Sequence, residues 1–159
     1  MYFYNMIHQI RKEQFLQAHI DDVWRFVSRP ENLKYITPKY MNFTIKSRNL
    51  APTMYPGMII SYTVSPILKF TLNWVTEITH MEENKFFVDE QRVGPYQMWH
   101  HQHIFMPHEN GVIMTDIISY KLPFGIIGRI FNTLFIKSKL ESIFNYRFKQ
   151  MEKIFNQQK

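Results

Sequence analysis

Along residues 86–120 the apolar and polar positions fall into three aromatic-rich runs, broken at Gly94-Pro95 and at the cluster from Pro107 to Gly111. This predicts three consecutive antiparallel strands, and side chains two apart on a strand share a face. Phe87, Asp89 and Gln91 then share a face of the first strand, and Trp99, His101, His103 and Phe105 a face of the second. Asp116, Ile118 and Tyr120 share a face of the third. If those faces look the same way, one aromatic surface carries two His, two Asp, a Gln and a Tyr. A small-molecule pocket has that make-up, and so does the solvent face of a strand.

The flanking pattern supplies the other elements. Scattered apolar positions over residues 3–18 predict a strand running to about Leu16. Val23, Trp24, Phe26 and Val27 form a short helical stripe that starts at Asp21 or Asp22. Pro30 opens a second short helix, which Thr37-Pro38 ends because a residue before proline is pushed out of the helical region. Met41, Phe43 and Ile45 alternate with polar residues and predict a strand from Met41 to Leu50. Beyond the Tyr55-Pro56-Gly57 turn come strands over Met58 to Val64 and from about Lys69 to Thr79, with a turn from Met81 to Asn84. Trp74, Thr76 and Ile78 share one face of the second of these, and Glu77 lies exposed on the other. After Leu122-Pro123-Phe124-Gly125 the period lengthens. Ile127, Phe131, Leu134, Leu140, Phe144, Phe148, Met151 and Phe155 recur at spacings of three, four and, once, six. They predict one long amphipathic helix, bent near Lys137 to Lys139. The order is one strand, two short helices, about six strands and a long helix. Only that helix is large enough to cover the sheet, so the fold class is α+β.

Composition narrows the classes. A chain of 159 residues suits one domain, and 45% apolar with 16% aromatic residues permits a real core or the walls of a cavity. There is no Cys, which removes disulfides and thiolate metal sites. The N-terminal residues lack the features of a signal peptide, and no apolar run reaches membrane-spanning length, so a cytoplasmic protein is expected. The net charge of +6 is scattered, with no compact basic patch, and nucleic acid is not an expected partner. Oligomeric state stays open.

Several segments together resemble the START-like superfamily, also called SRPBCC or helix-grip proteins, and in particular its small bacterial ligand-binding members. They include Ile20 to Trp24, Pro30-Glu31-Asn32-Leu33, Ile36-Thr37-Pro38, Met54-Tyr55-Pro56-Gly57 and Trp74-Val75-Thr76-Glu77-Ile78. The similarity continues through Phe87 to Gln91, Gly94-Pro95-Tyr96, Trp99 to His103, Asp116 to Tyr120, Leu122 to Gly125 and Phe144 to Arg147. It covers nearly the whole chain as a single domain, 1–159. The resemblance implies a helix-grip fold: a curved antiparallel sheet wrapped around a long C-terminal helix, with two short helices between the first two strands. It further implies a deep cavity between sheet and helix for an apolar or amphipathic molecule. Function is not implied as firmly, because lipid carriers, receptors, cyclases and hydratases share the scaffold.

The candidate chemistry centres on His101 and His103. Two histidines at i and i+2 on a strand can ligate a metal, with Asp89 or Asp116 as further ligands. The cupin pattern fails on spacing, however, since Gly94 lies one residue too far from His101 and Glu109 follows His103 too late. No metal and no cofactor is expected. Polar cavity lining or a His–Asp hydrogen bond fits better. A His with a carboxylate partner is also a potential general base, which makes His101, His103 and Asp116 the candidates for catalysis. The expected ligand-binding set is Tyr62, Trp74, Phe87, Gln91, Trp99, His101, His103, Asp116, Tyr120, Phe144 and Arg147; ordinary core packing explains each ring equally well. The leading expectation is binding of a small hydrophobic or amphipathic molecule (lipid, polyketide-like or aromatic). A cyclase, aromatase or hydratase with a His–Asp base comes second, and a regulatory module with a vestigial pocket third. Residues from Phe124 to Leu140, with Arg129, Lys137 and Lys139, allow weak peripheral membrane contact, although burial on the sheet explains them too.

Overall fold

The computed structural model describes residues 7–66, 70–125, 130 and 132–156. Its elements follow the predicted order. Strand β1 (His8–Leu16) is followed by α1 (Ile20–Val27), a 3-10 turn (Pro30–Asn32) and α2 (Leu33–Ile36). A second 3-10 turn (Lys39–Met41) leads to β2 (Thr44–Ile45), β3 (Ile59–Val64), β4 (Leu72–Glu82), β5 (Phe86–Val93), β6 (Met98–His108) and β7 (Gly111–Lys121). A π-helical turn (Asn132–Ile136) then enters α3 (Lys137–Phe155). The seven strands form one antiparallel sheet in the order β1-β7-β6-β5-β4-β3-β2. Because β1 closes on β7, the N-terminal strand becomes an edge of the sheet that the later strands build. Register shifts at Val75/Thr76 and Ile78/His80 interrupt the β4–β5 ladder, and such bulges bend a sheet around what lies on its concave side.

Helix α3 lies on that side. Leu140, Phe144, Met151 and Phe155 are buried, and each contributes about 1.5–3 kcal/mol of burial. The helix is also tied to β1 by polar contacts. Lys12 Nζ donates to Asn145 Oδ1 at 2.6 Å and Gln14 Nε2 to the Phe148 carbonyl at 3.3 Å. Asn156, just past the helix end, accepts from the Gln17 backbone N–H at 2.8 Å and donates to the Phe15 carbonyl at 3.2 Å. Trp24 of α1 packs edge-on against Phe87 and Phe105, so the short helices close the core on the side away from Trp99 and Tyr120.

Four details depart from the sequence pattern. The strand expected over Met41 to Leu50 shrinks to Thr44–Ile45, because Lys39–Met41 forms a 3-10 turn and Asn42 takes a left-handed conformation at φ 46°. Strand β4 runs on to Glu82, which moves the turn expected from Met81 to Asn84 to residues 83–85. Glu77 points outward as expected but is half-covered, since Arg92 Nε donates to it at 2.5 Å. Leu134 is exposed, as is Phe135. The π-helical turn holds one residue more per turn than an α-helix, which turns Leu134 and Phe135 off the sheet. Lys69, Ile127 and Phe131, and the start of the first strand, fall outside the described residues.

Met151 is fully buried where helix and sheet meet. Met151→Ala is expected to cost about 2–4 kcal/mol, read as a lower urea midpoint at unchanged m-value. A loss under about 1 kcal/mol would mean the helix does not carry the core.

Candidate functional site

Between α3 and the concave face lies a cavity of about 210 Å³. Its aromatic wall is fixed by packing and by one hydroxyl. Tyr62 stacks on Trp74 at 6.1 Å, and both Tyr62 Oη, at 3.0 Å, and Trp74 Nε1, at 3.1 Å, hydrogen-bond Thr76 Oγ1. Trp99 meets Trp74 edge-on at 5.3 Å. Ile60, Ile78, Leu140 and Phe144 complete the apolar lining. Towards the surface the lining includes Asn32, Thr37 and the exposed Arg29.

At the inner end lies a ring of two imidazoles and two carboxylates. Strand register assembles it: Asp89 is the cross-strand partner of His101, and His103 is the partner of both Phe87 and Asp116. His101 Nε2 is 2.8 Å from Asp116 Oδ1, and His103 Nε2 is 2.8 Å from Asp89 Oδ2. The ring closes through His101 Nδ1, 3.4 Å from Asp89 Oδ2, and His103 Nδ1, 2.9 Å from Asp116 Oδ1. The last of these contacts does not meet hydrogen-bond geometry, so His103 Nδ1 is buried without a partner; Asp116 Oδ2, outside the ring, is buried without one as well. Phe87 stacks on His103 at 3.9 Å, His101 lies 3.7 Å from His103, and Phe144 caps His101 edge-on at 5.3 Å. Asp116 is fully buried, whereas Asp89 keeps 18% of its side chain exposed and lines the cavity.

Burial alone would raise both carboxyls, but the surrounding cations outweigh it. Asp116 is held well below the usual carboxylate range by the Arg147 guanidinium and by the two imidazoles that face it. Asp89 is lowered by His101, His103 and Arg147. An ionised carboxylate only accepts, so His101 Nε2 carries the proton that it shares with Asp116. Burial, followed by the neighbouring His103, pushes His101 down to about 4 in spite of the two carboxylates. Burial and Asp89 raise Tyr62, which keeps its hydroxyl protonated. Arg147 lines the cavity, and its Nε is buried without a hydrogen-bond partner.

No protein-family model matches the sequence, and no curated protein matches it. Solved structures do match in shape. TTHA0849 from Thermus thermophilus is 18% identical, with a TM-score of 0.71 over 92% of this chain and 95% of that one. CV1439 from Chromobacterium violaceum is 12% identical, with a TM-score of 0.69 over 92% and 96%. Major latex-like protein 151 from Panax ginseng is 9% identical, with a TM-score of 0.66 over 94% and 97%. The fold is a helix grip. At these identities the likeness speaks for architecture alone.

Within the helix grip the expected residues divide. Tyr62, Trp74, Phe87, Trp99, His101, His103, Phe144 and Arg147 all line the cavity. Gln91, Asp116 and Tyr120 do not. Gln91 closes the β5–β6 turn, with Nε2 donating to the Tyr96 carbonyl at 2.7 Å and Oε1 accepting from its N–H at 3.2 Å. A Cβ at Gly94 would fall 2.3 Å from Gln91 Oε1, so a side chain there would displace the Gln91 amide from the turn. Tyr120 is fully buried against His8, Tyr96 and Trp99. Asp116 lies behind the two imidazoles. The sequence reading omitted Asp89 from the ligand-binding set although it shares a face with Phe87, and it missed Thr76, whose hydroxyl gave no signal of its own. Asp89, His101 and His103 each offer one ligand atom within 4.8 Å of the others, a grouping that can hold a metal ion.

The electrostatics predict an acid-labile fold. His101 titrates at about 4 when folded against an ordinary 6.5. Between those values the unfolded chain takes up a proton that the folded chain refuses, so stability is fully present above 6.5 and falls as pH drops toward 4. The two lowered carboxylates act in the same sense below 3.8. For metal-free protein the His101 contribution is on the order of 3 kcal/mol, and urea unfolding across this range should show it. His101→Gln should flatten that slope. An unchanged slope would assign the acid sensitivity elsewhere.

Proposed function

We propose that this chain is a small SRPBCC-type ligand-binding protein that takes up one compact hydrophobic or amphipathic molecule without transforming it. The observation that carries the reading is the cavity of about 210 Å³, walled by rings and with a buried polar cluster at its inner end. Pockets of this construction orient a ligand by a few polar groups and bind it by apolar contact. The volume exceeds the roughly 150 Å³ that admits a benzene-sized guest and falls short of the roughly 300 Å³ of a drug-sized pocket. It therefore suits a one- or two-ring molecule or a short branched chain better than a full lipid. The phenol-like head of such a molecule would point at Asp89 and Arg147, its rings at Trp74 and Trp99.

The second reading, an enzyme of the cyclase or hydratase type, has its His–Asp pair in place, with His101 2.8 Å from Asp116. A ring that titrates near 4 is a weak base at neutral pH, however, and His101 Nδ1 is turned to Asp89. Those two facts favour binding over base catalysis.

1-Naphthol is a suitable probe. The chain is expected to bind one equivalent saturably, with a Kd in about the 1–100 μM range and quenching of Trp fluorescence. Leu140→Trp places a bulky ring in the lining and should weaken binding at least about tenfold, or about 1.4 kcal/mol. An absence of saturable binding, or equal affinity in Leu140→Trp, would overturn the reading.

A further inference from the structure

With both rings neutral, the hydrogen-bonding of the inner ring does not close by itself. Four imidazole nitrogens each face a carboxylate oxygen, at 2.8, 2.8, 2.9 and 3.4 Å. A neutral imidazole has one N–H and one lone pair. Two neutral rings can therefore satisfy two of the four contacts and must turn a lone pair toward an anion in the others. The buried His103 Nδ1, without a hydrogen-bond partner, is where that deficit shows. Unpaired polar atoms this deep are costly, and a cation among them would remove the conflict.

The geometry also says where the cation would sit. Asp116 Oδ1 is within reach of both His101 Nε2, at 2.8 Å, and His103 Nδ1, at 2.9 Å. If both rings donate to Asp116, the freed lone pairs of His101 Nδ1 and His103 Nε2 face Asp89 Oδ2, at 3.4 and 2.8 Å. These separations are close to those between ligand atoms held about 2.1 Å from one metal ion. The lining agrees: Asp89, His101 and His103 border the cavity, whereas Asp116 stands behind them. A carboxylate gripping the far nitrogens of ligating imidazoles is the usual support of a histidine metal site.

We propose that Asp89, His101 and His103 bind one divalent transition-metal ion, of the zinc, cobalt or iron(II) class, at the inner end of the cavity, with Asp116 holding both imidazoles from behind. Two imidazoles and one carboxylate leave coordination positions open, and those positions face the cavity. The spacing that sets the chain apart from a cupin does not bear on this site. Its third ligand comes from the neighbouring strand, as the register partner of His101. The proposal stands whether or not the cavity takes an organic ligand.

The test is titration of Co²⁺ and Zn²⁺ into EDTA-stripped protein that carries no affinity tag, read by calorimetry and by the visible ligand-field absorption of Co²⁺. One equivalent per chain is expected, with the spectrum of a four- or five-coordinate ion. Asp116→Asn should weaken binding about 10- to 100-fold at unchanged stoichiometry, and Asp89→Asn should weaken it further. His100→Gln is the control, because His100 is turned to the outer face and paired with Glu90 at 2.8 Å. It should bind as the unmodified chain does. Imidazole nitrogen NMR should also show the His103 proton moving from Nε2 to Nδ1 when Zn²⁺ is added, a change that a merely structural role would not produce. His103→Gln should abolish the site, and Asp89→Asn carries the same comparison if that variant does not fold. No saturable binding, or binding that survives undiminished in Asp89→Asn, would overturn the proposal and leave a plain hydrogen-bonded cluster.

Discussion

Two carboxylates and two imidazoles on the concave face of this sheet are buried as one another's partners, with the Arg147 guanidinium beside them. Asp116 has no exposed surface, and His101 and His103 have almost none. An isolated carboxylate in that position would cost several kcal/mol in desolvation, so the surrounding architecture has to deliver its neighbours accurately. It does so with backbone register. Three adjacent antiparallel strands place His103 opposite Asp116 on one side and Phe87 on the other, with Asp89 opposite His101. A slip of one residue in any of these strands would turn the charged groups outward and break the set. The cluster and the register therefore enforce each other. Helix α3 completes the enclosure by laying Phe144 over His101 and bringing Arg147 to the cavity wall.

The aromatic wall follows from the same geometry. Tyr62, Trp74 and Trp99 lie on β3, β4 and β6, on the concave side that α3 covers. The bulges in the β4–β5 ladder bend the sheet there, and the single hydroxyl of Thr76 anchors two of the three rings. A space remains because these rings brace one another and do not collapse onto Leu140 and Phe144. The result is a rigid apolar chamber with its charges gathered at one end, an arrangement that favours a small guest with one polar end.

Much of this was legible in the residues. The period of two across residues 86–120 put His101 and His103 on one face of a strand and Asp116 with Ile118 and Tyr120 on a face of the next, because strand alternation depends on local backbone geometry alone. The terminal helix showed itself by its period, the first short helix by the Val23, Trp24, Phe26 and Val27 stripe, and the second by Pro30 and Pro38. What the sequence pattern missed depends on contacts between distant segments. The Met41 to Leu50 strand failed because Asn42 reverses the chain, and Leu134 left the buried stripe because a π-helical turn rotates it. Gln91 reads as a pocket amide, yet its side chain is consumed by the Tyr96 backbone. The partnership of Asp89 with both imidazoles spans two strands, and intervals along one strand cannot display it.

Site and fold both depend on an imidazole locked between carboxylates inside the sheet, and imidazole nitrogen NMR of metal-free protein tests that most directly. His101 should show one fixed tautomer, protonated at Nε2 toward Asp116, and should resist protonation until the pH approaches about 4. Exchange between tautomers with a titration midpoint near the ordinary 6.5 would mean that His101 meets water, and the buried cluster would not exist as described.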